Sequence, residues 1–139
     1  MDRLDEATIE QFHDSLDRCG STSQFLGRFY QIFSASSPEV AARFSDTNFK
    51  TQTRALKTSF YMAMLASDQN TEASDYLERI AIRHNHKQLD IKPEFYILWL
   101  DSMIKAVSEF DPQFNNEVEQ AWRRFMQPAI EFMMSRYES

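Results

Sequence analysis

IAIRHNHKQLDIKPEFY, residues 80–96, carries two histidines two places apart and closes on a turn containing proline. Leu77, Ile80, Ala81 and His84 fall at i, i+3, i+4 and i+7, the spacing of one buried helix face, so the pattern predicts a helix with His84 turned inward. His86 lies about 200° further round at 3.6 residues per turn and is expected to face solvent. Pro93 is suited to open the next helix, whose first turn has no use for the missing N–H.

The same periodicity extends in both directions. Upstream, residues 5–18 present Ile9, Phe12 and Leu16 at helical spacing, and Gly20 supplies a stop. Ser21 and Gln24 have capping-box spacing ahead of a helix with Phe25, Phe29, Ile32 and Phe33 on one stripe and Leu26, Tyr30 and Phe33 on its neighbour. Ser37 and Pro38 form a cap and first turn for a short helix ending near Phe44. A helix over 49–66 puts Phe49, Gln52, Leu56 and Ala63 near one face, with Gln52 the polar member of an apolar line. A polar break, SDQNTEAS, precedes the helix that holds His84. Downstream, PEFYILWLDSMIKAVSEF is apolar nearly all round and reads as a central buried helix. DPQFNN ends it. The last helix carries Val118, Trp122, Phe125, Ile130 and Met133, with Pro128 in its interior, where a kink or local distortion is expected. The class is all-α, in one domain over 1–139.

Composition removes several functions. The net charge is −6 and the 15 basic residues are scattered, which disfavours nucleic acid and anionic membrane as partners. No apolar run approaches the roughly 18 residues of a membrane span, and the acidic, amphipathic start is no secretory signal, so the cytoplasm is the expected compartment. Cys19 is the single cysteine and reads as an inert small hydrophobe. With 2 glycines in the chain there is no phosphate-cradling loop. The aromatic share is 14%, with 12 phenylalanines, a load that either fills a core or lines an apolar slot.

Taken in order, these segments resemble bacterial globins, in particular single-domain globins and the globin domain of flavohaemoglobins. FYQIFSASSPEVAARF is similar to the segment in which a Phe-Tyr pair precedes, by fourteen residues from the tyrosine, a phenylalanine packed on the haem face: Tyr30 and Phe44 here. QTRAL resembles the distal segment that presents Gln52 and Leu56 over the iron. IAIRH followed by IKPEFY looks like the proximal segment, with His84 as iron ligand and Tyr96 in the proximal pocket, and VEQAW resembles the start of the last globin helix. The resemblance implies six to eight helices in a three-over-three sandwich around a non-covalent haem b, whose slot Phe44, Leu56, Ile80, Tyr96 and Leu100 would line.

Four departures stand out. The link before QTRAL is two residues shorter than in flavohaemoglobins, and the loop from the ligand histidine to KPE is two residues longer, which leaves His86 as a rival ligand. A flavohaemoglobin glutamate late in the last helix, partner to the histidine and tyrosine, is replaced by Tyr137, or by Glu138 with a one-residue shift. The chain ends where a flavin and nicotinamide reductase module would begin, so an electron donor would be external.

What the resemblance implies chemically is a diatomic gas ligand, O₂, NO or CO, with Tyr30 and Gln52 donating hydrogen bonds to the negative charge that O₂ acquires on binding. Two donors at ~1 to 2 kcal/mol each would slow O₂ release by roughly two orders of magnitude. That suits a sensor or a nitric oxide dioxygenase better than a carrier. Two alternatives stand beside it: a gas sensor signalling through a helical face to a separate partner, and a haem-free globin-fold interaction module. The Met-rich end FMQPAIEFMM reads as core or as a homodimer surface, and His13 as a surface residue.

Overall fold

The computed structural model describes residues 5–20, 23–67, 71–85 and 87–138. Among them are seven helices and no strand: α1 (Glu6–Cys19), α2 (Ser23–Ala35), α3 (Pro38–Arg43), α4 (Phe49–Ser67), α5 (Thr71–Arg83), α6 (Pro93–Phe110) and α7 (Asn116–Ser135). α2 packs along α6 and α4 along α5, while α1 crosses α7 and α6, α5 crosses α7, and α4 crosses α2, which gives two layers of helices.

Helix ends follow local chemistry. Asp5 caps α1 by accepting the Thr8 N–H at 2.8 Å, and Gly20 closes it in the left-handed region, φ 90°, where a side chain would be strained. Ser37 caps α3 through the Glu39 N–H, with Pro38 in the first turn, and Asn115 caps α7 through the Val118 N–H at 2.9 Å. The cap expected at Ser21 lies outside the described residues. α5 begins at Thr71, inside the run read as a polar break, because Glu72 places a favourable negative charge in its first turn.

α6 is central but not apolar all round. Phe95, Tyr96, Leu100, Met103, Ile104 and Val107 are buried, whereas Ile97 is 60% exposed and shares an outer strip with Asp101 and Lys105. The i, i+4, i+8 spacing of that strip marks a solvent face into which one isoleucine intrudes. α7 runs on through Pro128 without interruption.

Aromatic contacts tie the layers together. Phe12 of α1 stacks on Phe125 of α7 at 3.7 Å between ring centroids and meets Trp122 edge-on at 4.7 Å; it also reaches Phe60 of α4 at 6.1 Å. Beside this cluster is a buried polar corner. The Asp111 carboxylate accepts the Ser15 hydroxyl at 2.6 Å, Arg18 Nε at 2.7 Å and Nη2 at 3.0 Å, and the Gln113 N–H at 2.8 Å. Ser15 in turn accepts the Trp122 indole N–H at 2.9 Å. Burial pushes the Asp111 carboxyl up, but the bonds from Arg18, Ser15 and the Gln113 N–H outweigh it and hold it below its usual value. Cys19 is buried next to this corner; desolvation, with the Asp111 charge, pushes its thiol up to about 12.

Gly27 lies inside α2 with nothing within 4 Å of where a Cβ would sit. Gly27→Ala should therefore stabilise the fold by about 0.5 to 1 kcal/mol through reduced unfolded-state freedom. A higher urea midpoint at unchanged slope would show it; a lower midpoint would mean that α2 needs the glycine.

Candidate functional site

A cavity of about 390 Å³ opens between α2, α4, α5, α6 and α7, with walls that are mainly apolar. Aromatic rings make much of the lining, among them Phe33, Phe44, Phe60, Tyr96 and Trp99. Arg43 and Arg83, both exposed, stand at its rim.

His84 sits one residue past the end of α5, on the inward line its spacing indicated. Its backbone N–H still reaches back to Ile80 O at 3.1 Å, so the ring keeps the helical direction. Nδ1 lies 2.7 Å from the same Ile80 carbonyl. A carbonyl can only accept, so Nδ1 carries the proton, and in a neutral imidazole the lone pair is then on Nε2. Burial lowers the pKa and outweighs the Ile80 bond, which raises it. The ring is thus neutral, fixed in tautomer, and available as a donor of one lone pair. His86 lies outside the described residues.

Tyr30 and Gln52 reach the same cavity from α2 and α4, near enough for the Gln52 side chain to bear on the phenol. Burial pushes the phenol up to about 12, although the Gln52 side chain pulls it down, so Tyr30 keeps its proton across the physiological range. Tyr30 is held edge-on by Phe44 at 5.5 Å and at a tilt by Phe49 at 5.5 Å. Phe49 itself is 41% exposed, away from the buried line expected of it.

Leu56, Ile80 and Tyr96 line the cavity with Phe44. Tyr96 is buried, and that burial alone raises its pKa. Leu100 does not line it: the residue is buried in the core, and Trp99 takes a place on the wall. Trp99 was legible, because it follows Phe95 and Tyr96 by one turn on the same face. The Met-rich end contributes Met126 and Met133 to the wall, while Met134 is exposed. Tyr137 donates its hydroxyl to Asp90, in the loop after His84. His13 is on the surface, as its position indicated, 3.6 Å from Asp17.

No cluster of three or more His, Cys, Asp or Glu side chains that could hold a bare metal ion occurs among the described residues. A single imidazole in an aromatic cavity fits instead a metal that brings its own in-plane ligands on a flat apolar ring.

The globin family model matches residues 29–133. The chain is 28% identical to a flavohemoprotein of Bacillus subtilis over 127 residues, which is 87% of this chain and 31% of that one. It is 29% identical over 99 residues to a flavohemoprotein of Oceanobacillus iheyensis, 69% of this chain and 24% of that one. The chain therefore spans about a quarter to a third of the length of these curated relatives. In structure it is similar to a Pseudomonas aeruginosa protein described as structurally highly homologous to a human hemoglobin, with a TM-score of 0.88, 31% identity, and coverage of 95% of this chain and 99% of that one. With the family model covering most of its length, and with the helical order already described, the chain belongs to the globin family.

Proposed function

We propose that this globin holds a non-covalent haem b in the cavity through His84 and binds a diatomic gas beside Tyr30 and Gln52. The observation that carries the reading is the state of His84: a neutral imidazole whose Nδ1–H faces Ile80 O at 2.7 Å, which leaves the Nε2 lone pair free to ligate in an aromatic slot. Phe44, Leu56, Ile80, Tyr96 and Trp99 would enclose the macrocycle, and Arg83 would face its carboxylates at the rim. Held by His84, the haem would supply an iron able to bind O₂, NO or CO.

The side chains do the rest. Tyr30, protonated and buried, donates to the ligand as negative charge develops on it, and the Gln52 amide is a second donor on the same cavity wall. Both donors already line the cavity, so little reorganisation is needed when a ligand arrives. Apolar walls exclude water and strengthen both bonds. Slow ligand release follows, which suits nitric oxide dioxygenation with an electron donor on another protein. The fold has no helix long and apolar enough to cross a membrane among the described residues.

The test uses the haem-loaded ferrous protein under O₂. Tyr30→Phe should speed O₂ release about tenfold, measured by stopped-flow displacement with CO, in line with loss of a hydrogen bond of ~1 to 2 kcal/mol. Rapid mixing with NO should give stoichiometric nitrate within milliseconds. An O₂ spectrum that persists after NO is added would remove the dioxygenase reading and leave ligand binding. An unchanged release rate in Tyr30→Phe would remove the distal role of the phenol.

A further inference from the structure

The loop between His84 and Pro93 is held from outside at one residue. Asp90 has φ 53°, the left-handed region, which an aspartate tolerates better than most residues. Its carboxylate accepts the Tyr137 hydroxyl, from the turn beyond α7, and lies 3.9 Å from Arg43 Nη2, at the end of α3. The same guanidinium donates to the carbonyls of Leu89 and, at 3.0 Å, of Asp90. Two distant parts of the chain thus converge on Asp90.

From there the backbone leads straight to the histidine. The Ile91 N–H donates to His84 O at 2.9 Å, the Asp90 N–H to Asn85 O at 2.8 Å, and the Leu89 N–H to Arg83 O at 3.0 Å. Asn85, buried, turns the chain by accepting the Lys87 and Gln88 N–H groups at 3.1 Å each. The His84 ring is fixed on one side by Ile80 O and its peptide on the other by Ile91.

We propose that Asp90, clamped by Tyr137 and Arg43, is a positioning residue that sets the orientation of the His84 imidazole. The step to the imidazole's role rests on the haem reading above; the clamp itself does not. Tyr137 acts at the proximal side through Asp90, as a brace on the loop. Removing the brace frees the Ile91 to His84 bond, and the peptide carrying the imidazole gains rotational freedom.

Two readouts separate the clamp from the haem reading. In haem-free protein, Tyr137→Phe and Asp90→Gly should each raise the hydrogen-exchange rate of the Ile91 amide about tenfold, and Asp90→Asn, which keeps an acceptor and tolerates the same φ, should stay within about threefold of wild type. Glycine relieves the backbone at this φ, so a faster exchange in Asp90→Gly reports the lost carboxylate. In the haem-loaded ferrous protein, the iron–imidazole stretching band should broaden and shift to lower frequency in the first two variants and return in Asp90→Asn. Unchanged Ile91 exchange in both Tyr137→Phe and Asp90→Gly would overturn the clamp. Faster exchange with an unmoved band would overturn its control of the imidazole. A wild-type chain that takes up no haem would overturn the haem reading, while the exchange result would still decide the clamp.

Discussion

His84→Ala should abolish tight haem binding, with the Soret band lost or shifted to that of loosely held haem. Disturbing only the partner of a metal-bound imidazole costs roughly 10- to 100-fold in affinity, so deleting the imidazole should exceed that range. Among the described residues, the ring is the one side chain on the cavity wall with a neutral nitrogen lone pair fixed by its surroundings. Titrating haem into wild type, His84→Ala and His86→Ala, followed by absorption, is the measurement. His86→Ala should titrate like wild type, and free imidazole should partly restore the spectrum of His84→Ala by filling the vacated space. A normal Soret band in His84→Ala, or its loss in His86→Ala alone, would move the ligand to position 86.

Asp111→Ala should cost about 3 kcal/mol of stability, because it leaves the buried Ser15 and the half-buried Arg18 without their acceptor. Against the roughly 5 to 15 kcal/mol available to a domain, that is a large share. Urea unfolding checks it, and a loss under about 1 kcal/mol would show that water or a neighbour replaces the carboxylate. The pH dependence has a definite sign. The folded-state pKa of Asp111 is depressed, so its contribution is complete above the unfolded value near ~3.9 and is lost as pH falls through the lower folded value. The gap between wild type and Asp111→Ala should therefore close in acid.

Much of this was legible in the order of residues. Helix boundaries at Gly20, Pro38 and Pro93 follow from backbone chemistry that does not depend on tertiary context. The inward turn of His84 followed from i, i+4, i+7 spacing, and even the carbonyl one turn back that takes its Nδ1 proton is a consequence of helix geometry. Contacts between residues distant in sequence were not legible. Asp111 read as a helix stop, yet it closes a network with Ser15 some 96 positions away. Asp90 and Tyr137, 47 apart, gave no local sign of pairing. Leu100 was misplaced because a helix with a wide apolar face does not reveal which of its stripes meets the slot and which meets the core.

The lone thiol has a bearing on any chemistry with reactive nitrogen or oxygen species. With its acidity suppressed to about 12, only roughly one Cys19 sulfur in 10⁵ is ionised at neutral pH, and the anion is the reactive form. Sealed from solvent as well, it is a poor target for nitrosation or for peroxide. The chain thus keeps its only thiol chemically silent.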